Sequence, residues 1–410
     1  MNILYVTGLT LPLKDILNGK TENEISGLPG FYYPWKKLVE KGHNVDFVFI
    51  SNFKGEYNIK VKWFREKNIL VNIYAPYTEE KFMRFIRQII RFLQLLYYTY
   101  KATRAKKYDF IYCKVYEGFA GQIIGKMYKI PTGIRLFGDF TFCYPDIKKH
   151  GKFIGTLKHL FEFFSFKVGA NFLIATDDGS NCDKLFKVWD NGKIKFYFWK
   201  TGIDMSLPEN SKQIPKDNYL YFAARYQEWK RQDRVLRVLK ILEGKGYNIN
   251  LIFTGSITSV NYYESLKNLA RELNIFEKVF FEREIPKDEV KIIAKNAVAN
   301  LLMADYSNLG NVFFEIFSIG SLIISLKNRA LEEYIINGYN GFLVENEEEA
   351  AEVVIKILKG DIDTNFVKQN ARKTALERFL SIEERFDKEV ELIERTARRE
   401  KNIKIELSKK

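Results

Sequence analysis

Two cations and one carboxylate carry the chemistry this chain could do. Arg225 and Lys230 stand five residues apart, just after the apolar run Tyr219–Ala223, which reads as a strand. Further on, the stretch Asp305-Tyr-Ser307-Asn308-Leu309-Gly310-Asn311-Val-Phe-Phe-Glu315 follows a second apolar run, 297–304. From Asn311 to Ile319 nearly every position is apolar, and a helix that is hydrophobic all round is a buried one. A carboxylate such as Glu315 is costly there unless something answers its charge. The positive end of its own helix dipole is one answer. Alternatively, strand, loop and helix N-terminus form an anion cradle, and Glu315 awaits a hydroxyl-bearing ligand. Open parallel sheets bind ligands at the carboxyl ends of their strands. Arg225 and Lys230, beside the Asn311 helix, would there clamp a diphosphate. Solvated surface cations are the plainer alternative for the pair.

Such residues need a scaffold of strands feeding loops and helices, and the chain alternates the two throughout. The first strand spans residues 2–7, a loop runs from Gly8 to Gly30, a helix covers Phe31–Lys41 and a strand Val45–Ile50. Strands at Ile59–Phe64 and Ile69–Tyr74 precede a long helix from Glu79 to about Lys106. Its residues Phe82, Phe85, Ile86, Ile89, Ile90, Leu93 and Tyr97 keep helical spacing and read as a core-facing stripe. Arg84, Arg87 and Arg91 share a side, either a solvated face or one that meets anionic lipid headgroups. A single helix is expected over Phe153–Val168. Lys200 to Asp217, with Gly202, Pro208 and Pro215, has the composition of a linker. The same alternation resumes after it, and a charged amphipathic helix runs from Ile382 to about Lys401. The expected class is α/β with two doubly wound, Rossmann-like domains: residues 1–200, residues 201–378, and a terminal helix over 379–410 that returns to the first domain.

Bulk properties narrow the function classes. At 410 residues the chain exceeds one ordinary core. Its 46% hydrophobic and 28% charged residues are those of a globular protein. No apolar stretch is long enough to span a bilayer, and the N-terminus goes straight into a strand without the layout of a signal peptide. A cytoplasmic location follows, peripheral on the inner membrane face if the 79–106 helix meets lipid. The three cysteines and three histidines are scattered, so neither a disulfide framework nor a metal site is expected. A net charge of +14 suits nucleic acid, an anionic membrane or an anionic small molecule. No nucleic-acid motif accompanies it. Gly19-Lys20-Thr21 lacks the upstream glycine of a P-loop, and the first strand leads to no Gly-x-Gly-x-x-Gly turn, which disfavours a dinucleotide oxidoreductase.

Taken together, the motifs of the second half resemble those of the family 4 glycosyltransferases, retaining enzymes of the two-domain GT-B fold whose domains face a cleft. Arg225 and Lys230 match the family's phosphate-binding pair, Phe253-Thr-Gly255 its next strand and turn, and Ser307 to Glu315 its Glu-x7-Glu signature. Glu333 and Asn337 to Val344 match the block that follows. The resemblance implies transfer of a sugar from a nucleoside diphosphate-sugar to a glycan or lipid-linked acceptor, with cations rather than a metal neutralising the leaving group. It gives the ribose to Glu315, the phosphates to the backbone around Gly310 and Asn311, and the base to Arg283 and Glu284. Ser307, Asn308 and Leu309 join the donor loop. Gly27 to Gly30 would admit close approach of a substrate, and Asp139 would contact the acceptor or the transferred sugar. Three positions depart from the family: Ser307 replaces the first glutamate, Phe137 stands where many members have histidine, and the family's Asn-Gly-Val-Asp is Thr201-Gly-Ile-Asp204. A non-catalytic nucleotide-sugar-binding protein is the alternative, with a basic nucleic-acid-binding protein behind it.

Overall fold

The computed structural model describes residues 1–8, 11–20, 29–51, 60, 70–74, 81–114, 118–139, 142–190, 192–208, 218–306, 309–327 and 329–407. Gly27, Ser307, Asn308 and most of the strand expected over 59–64 lie outside them. The chain divides into two compact units: Met1–Gly202 with Ile382–Leu407, and Ile203–Ser381.

The first unit begins with β1 (Asn2–Gly8), α1 (Leu11–Leu17), α2 (Pro29–Glu40), β2 (Asn44–Ser51), β3 (Leu70–Tyr74), α3 (Lys81–Ala105), β4 (Phe110–Lys114) and α4 (Phe119–Tyr128). It continues with β5 (Thr132–Leu136), α5 (Cys143–His150), α6 (Lys152–Lys158), α7 (Leu160–Val168), β6 (Phe172–Thr176), α8 (Cys182–Trp189) and β7 (Lys195–Trp199). The strands pair in the order β3-β2-β1-β4-β5-β6-β7, so the sheet reverses its winding between β1 and β4. Side chains alternate across the sheet. Tyr5, Phe47, Phe110 and Tyr112 point to one core with Leu13, Trp35 and Leu38. Leu4, Val6, Val48 and Ile111 point to the other, with Leu95, Ala102 and Ile124.

Three expectations for this unit change. The loop from Gly8 to Gly30 contains α1, which buries Leu13, Ile16 and Leu17 at helical spacing. The helix expected over Phe153–Val168 breaks at His159, whose backbone (φ −126°, ψ 47°) separates α6 from α7. The stripe on α3 points outward: Ile89, Ile90, Leu93 and Tyr97 are 38%, 48%, 55% and 55% exposed, while Leu95, Thr99 and Ala102 are buried. The helix is apolar on most of its circumference, so periodicity alone could not choose its inner face. The side chains of Arg84 and Arg87 lie outside the described residues.

The second unit comprises β8 (Tyr219–Ala223), α9 (Gln232–Gly244), β9 (Asn250–Thr254), α10 (Val260–Glu272), β10 (Val279–Glu282), α11 (Lys287–Asn296) and β11 (Ala299–Leu302). After these come α12 (Asn311–Ser318), β12 (Ile323–Leu326), α13 (Arg329–Glu332), β13 (Phe342–Val344), α14 (Glu347–Lys359) and α15 (Thr364–Arg378). Its parallel sheet runs β10-β9-β8-β11-β12-β13, with the reversal between β8 and β11. The short strand β13 and the charged helix α15 were not foreseen. Asn337 builds the turn before β13, its Oδ1 accepting the Leu343 N–H at 2.5 Å. Asn340 donates to the Tyr334 carbonyl at 2.9 Å. Much of the matching 337–344 block therefore holds a strand in place.

The last helix, α16 (Ile382–Ala397), clusters with the first unit. Lys37 on α2 reaches Glu383 at 2.5 Å and Asp387 at 2.9 Å, and His43 meets Glu394 at 2.7 Å.

Candidate functional site

In the second unit, the expected donor residues gather at the carboxyl edge of the sheet, around its reversal point. Arg225 follows β8 and is exposed, with no ion pair among the described residues. Its carbonyl accepts from the buried Gln232 side chain at 2.9 Å, which fixes the backbone while leaving the guanidinium outward. Gly255 is required by its neighbour: a Cβ there would sit 2.0 Å from the Ala224 carbonyl oxygen. The loops after β8 and β9 are thus pressed together. Tyr226 extends the contact by donating its hydroxyl to the Glu282 carbonyl at 2.8 Å. That places the exposed Arg283 and Glu284, just after β10, on the same edge.

Lys230 closes a 3-10 turn, Glu228–Lys230, that replaces the expected first turn of α9. Its ammonium lies 3.9 Å from the Trp229 ring centroid, a cation–π contact that fixes the side chain. Arg231 follows in the left-handed region (φ 57°) and ties this turn to the next loop. Its Nη1 donates to both oxygens of Asp305 at 2.9 Å, and the Asp305 N–H donates to the Trp229 carbonyl at 3.2 Å. Arg234 adds a bond to Asp305 at 2.9 Å. The signature segment is therefore clamped to the Lys230 turn. Sequence reasoning gave Asp305 no role; an acidic residue opening the loop after an apolar strand was the available signal.

Leu309 is buried and anchors the loop before α12. Among the described residues, a Cβ on Gly310 would meet nothing within 4 Å. Glu315 is half-buried one turn into α12. Among the described residues its carboxylate has no hydrogen-bond partner. Burial raises its pKa, Lys287 and Lys291 oppose the rise, and Asp204 adds to it. Lys291, itself buried, is taken up by Asp204 at 2.5 Å and by Ser206.

Gly30 and Asp139 belong to the first unit. Gly30 lies in the first turn of α2, and a Cβ there would meet Cε1 of Phe137 at 2.8 Å. Its bare face is filled by the protein's own ring. Phe137 also stacks on Phe31 with centroids 3.9 Å apart. Pro34, four residues on, has no N–H for the Gly30 carbonyl. Lys114, at the end of β4, supplies the missing donor: its Nζ bonds the carbonyls of Gly30 at 3.2 Å and Phe31 at 2.7 Å.

Asp139 is fully buried. Its two oxygens accept the N–H groups of Cys143 and Tyr144 at 2.8 and 2.7 Å, capping α5. Burial raises its pKa against those bonds. Its own N–H donates to Ser180 at 2.6 Å, joining the loops after β5 and β6. There Asp178 is pushed up to about 6 by burial, despite two bonds from Ser180.

The first unit also holds a buried charge network that sequence reasoning missed. Glu389 on α16 is fully buried and accepts from Tyr112 at 2.7 Å. It lies 3.1 Å from Arg385 and 3.4 Å from Arg135, both buried. Burial pushes the Glu389 pKa up, but Arg135, Arg385, Tyr112 and Lys114 together hold it below the usual range. Burial lowers Arg385 to about 10 and takes Lys114 well below an ordinary lysine.

Comparison with known proteins places this geometry. Residues 206–374, within the second unit, match the model of the family described as Glycosyl transferases group 1. A GDP-Man:Man(3)GlcNAc(2)-PP-Dol alpha-1,2-mannosyltransferase of Caenorhabditis elegans is 25% identical over 162 residues, 37% of this chain and 34% of that protein. The chain thus matches about a third of that relative's length. A sucrose-phosphate synthase from Thermosynechococcus elongatus superposes with a TM-score of 0.70 at 15% identity, covering 96% of this chain and 98% of that one. HepE of Anabaena, solved in complex with UDP, gives 0.66 at 14% identity over 96% and 100%. The chain has the GT-B fold.

Proposed function

We propose that this protein is a retaining glycosyltransferase of family 4 type, moving a sugar from a nucleoside diphosphate-sugar to a hydroxyl of a glycan or lipid-linked glycan. One observation carries the reading. An exposed arginine and a lysine stand on loops tied to the N-terminus of α12, whose glutamate has no hydrogen-bond partner among the described residues. Diphosphate on the cations and on the α12 N–H groups, with ribose on Glu315, would occupy every one of these groups. As the anomeric C–O bond breaks, charge grows on the departing diphosphate, and Arg225 and Lys230 stabilise it where it develops. This leaves a divalent ion no necessary part in leaving-group departure. The UDP held by HepE and the lipid-linked acceptor in the mannosyltransferase's name support these classes of donor and acceptor. Ser307, in place of a carboxylate, would bear on the choice of sugar. The exposed apolar stripe of α3 supports contact with a membrane surface carrying the acceptor.

The test is donor binding and transfer across UDP-, GDP-, ADP- and dTDP-sugars without added Mg²⁺ or Mn²⁺. Arg225→Ala and Lys230→Ala should each lower turnover by roughly 100- to 1,000-fold. Glu315→Ala should abolish detectable donor binding, whereas Ser307→Ala should alter sugar preference or rate. Normal donor affinity in Glu315→Ala would refute the assignment. Binding without transfer to any acceptor would instead identify a nucleotide-sugar-binding protein.

A further inference from the structure

At the amino edge of the first unit's sheet, where β5, β6 and β7 begin, lies a cavity of about 810 Å³. The loops that carry Asp139 and Asp178 stand on the opposite edge of the same sheet. Buried Phe172, Leu392 and Ile403 are among the residues that line it. Its walls are cationic: Lys126 and Lys129 at the end of α4, Lys193 and Lys195 at the start of β7, and Arg399 just beyond α16. Among the described residues Glu400 is the only acid in the wall, and Arg395 holds it at 2.8 Å. A Cβ on Gly169 would find Lys126 Nζ at 4.0 Å and the Lys193 Cβ at 3.8 Å, so both lysines approach that glycine. Arg399 Nη2 donates to the Lys129 carbonyl at 2.9 Å, which joins the ends of α4 and α16.

Cations are common where helices end, because they answer the negative end of the dipole, and α4, α7 and α16 all end at this cavity. Here the dipoles do not account for them. The terminal carbonyls are already met by other donors. Those of Gly125 and Lys126 accept the N–H groups of Ile130 and Lys129 at 2.8 and 3.3 Å. Those of Thr396 and Arg395 accept from Arg399 and Glu400 at 3.0 and 3.1 Å, and the Gly169 carbonyl accepts from Gln122 at 3.1 Å. Each helix end is worth about half a charge, so three cancel roughly one and a half. Lys126, Lys129, Lys195 and Arg399 form no ion pair among the described residues; Lys193 has a partner and is left out of the count. Roughly two and a half positive charges therefore remain over one cavity. A cleft lined by one sign of charge focuses its field on a counter-ion.

We propose that this cavity binds an organic phosphate, a molecule or headgroup that ends in a phosphate monoester. Such a group carries about two negative charges at neutral pH, which matches the excess on the walls. Arg399 can offer a fork of donors to it, and Lys126, Lys129 and Lys195 act as point charges. The volume falls among those of small-molecule sites and exceeds what a bare phosphate needs. Phe172, Leu392 and Ile403 give the organic part apolar surface to cover. A free phosphorylated metabolite and the headgroup of a phospholipid such as phosphatidic acid share this chemistry. The site gives a ligand to part of the +14 net charge that the donor residues do not use.

The test uses the full chain carrying Arg225→Ala and Lys230→Ala, so that binding at the donor residues does not count and either reading can fail alone. Calorimetric titration at about 0.15 M salt should show one equivalent of glycerol 3-phosphate bound and no binding of glycerol. Co-sedimentation with phosphatidylcholine vesicles containing phosphatidic acid, against the same content of phosphatidylserine, reads the headgroup source. A preference for phosphatidic acid without binding of glycerol 3-phosphate assigns the site to a lipid, and the reverse assigns it to a free metabolite; either supports the proposal. Lys126→Glu/Lys195→Glu should weaken that binding by about 100-fold or more. Lys107→Glu/Lys149→Glu, an equal change of net charge outside the cavity, should leave it unchanged. All four lysines are exposed, so both pairs should melt with the parent chain. A folded parent that binds neither glycerol 3-phosphate nor phosphatidic acid in preference would overturn the proposal. So would binding that survives Lys126→Glu/Lys195→Glu, or that both pairs weaken alike.

Discussion

Removing the charge of Glu389 should be among the most destabilising single changes in the first unit. Glu389→Gln keeps nearly the same volume and can still accept from Tyr112. What it loses is the anion facing Arg385 at 3.1 Å and Arg135 at 3.4 Å. Both guanidiniums are 1% exposed, so water cannot take over. Breaking a buried ion pair from one side costs about 3–5 kcal/mol, because the remaining charge is uncompensated. For a domain of this size that corresponds to a melting-temperature drop of roughly 6–20 °C. Glu383→Gln on the same helix is the control. Its side chain is 64% exposed, and losing its bond to Lys37 should cost less than about 1 kcal/mol. The pH dependence has a definite sign. Glu389 is held below its unfolded value, so its contribution is present above about pH 4.3 and is lost as pH falls through the folded pKa. The glutamine variant should lack that part of the acid slope. Calorimetry of both variants decides the matter: a Glu389→Gln chain that melts together with Glu383→Gln would refute the network's role.

Three further outcomes can be checked separately. Asp305→Ala should cost less than about 1 kcal/mol in stability, since its side chain is 45% exposed. By freeing the Lys230 turn it should weaken nucleoside diphosphate binding about tenfold, read by calorimetric titration against the melting temperature. Asp178 should titrate near 6 in a carboxyl NMR experiment. Its folded pKa exceeds its unfolded one, so it makes the protein less stable as pH rises from about 4 to 6, and Asp178→Asn should gain on the wild type across that window. Replacing Leu93 and Tyr97 of α3 with serine should lower co-sedimentation with anionic vesicles by about tenfold or more, at two exposed apolar side chains. Unchanged vesicle binding would remove the membrane from the proposed function.

The sequence by itself determined the alternation of strands and helices, the break near Gly202 and the donor-like residues of the second half. These features rest on local patterns: apolar runs four to six residues long, turns rich in glycine and proline, and cations placed just after strands. Arg225, Lys230, Gly255 and Glu315 are legible because strand ends and helix starts are set by neighbours in the chain. Tertiary structure decided what depends on partners distant in sequence. The inner face of α3 could not be read from a helix apolar on most sides. α5 was not foreseen because Pro145 and its polar residues read as loop, and Asp139 caps it from outside the helix. Gly30 packs its bare face against the Phe137 ring, a contact that no local pattern announces. Lys114, Arg135, Arg385 and Glu389 gave no signal, since a charge is identified as buried only when its counter-charge is brought to it from as far away as α16.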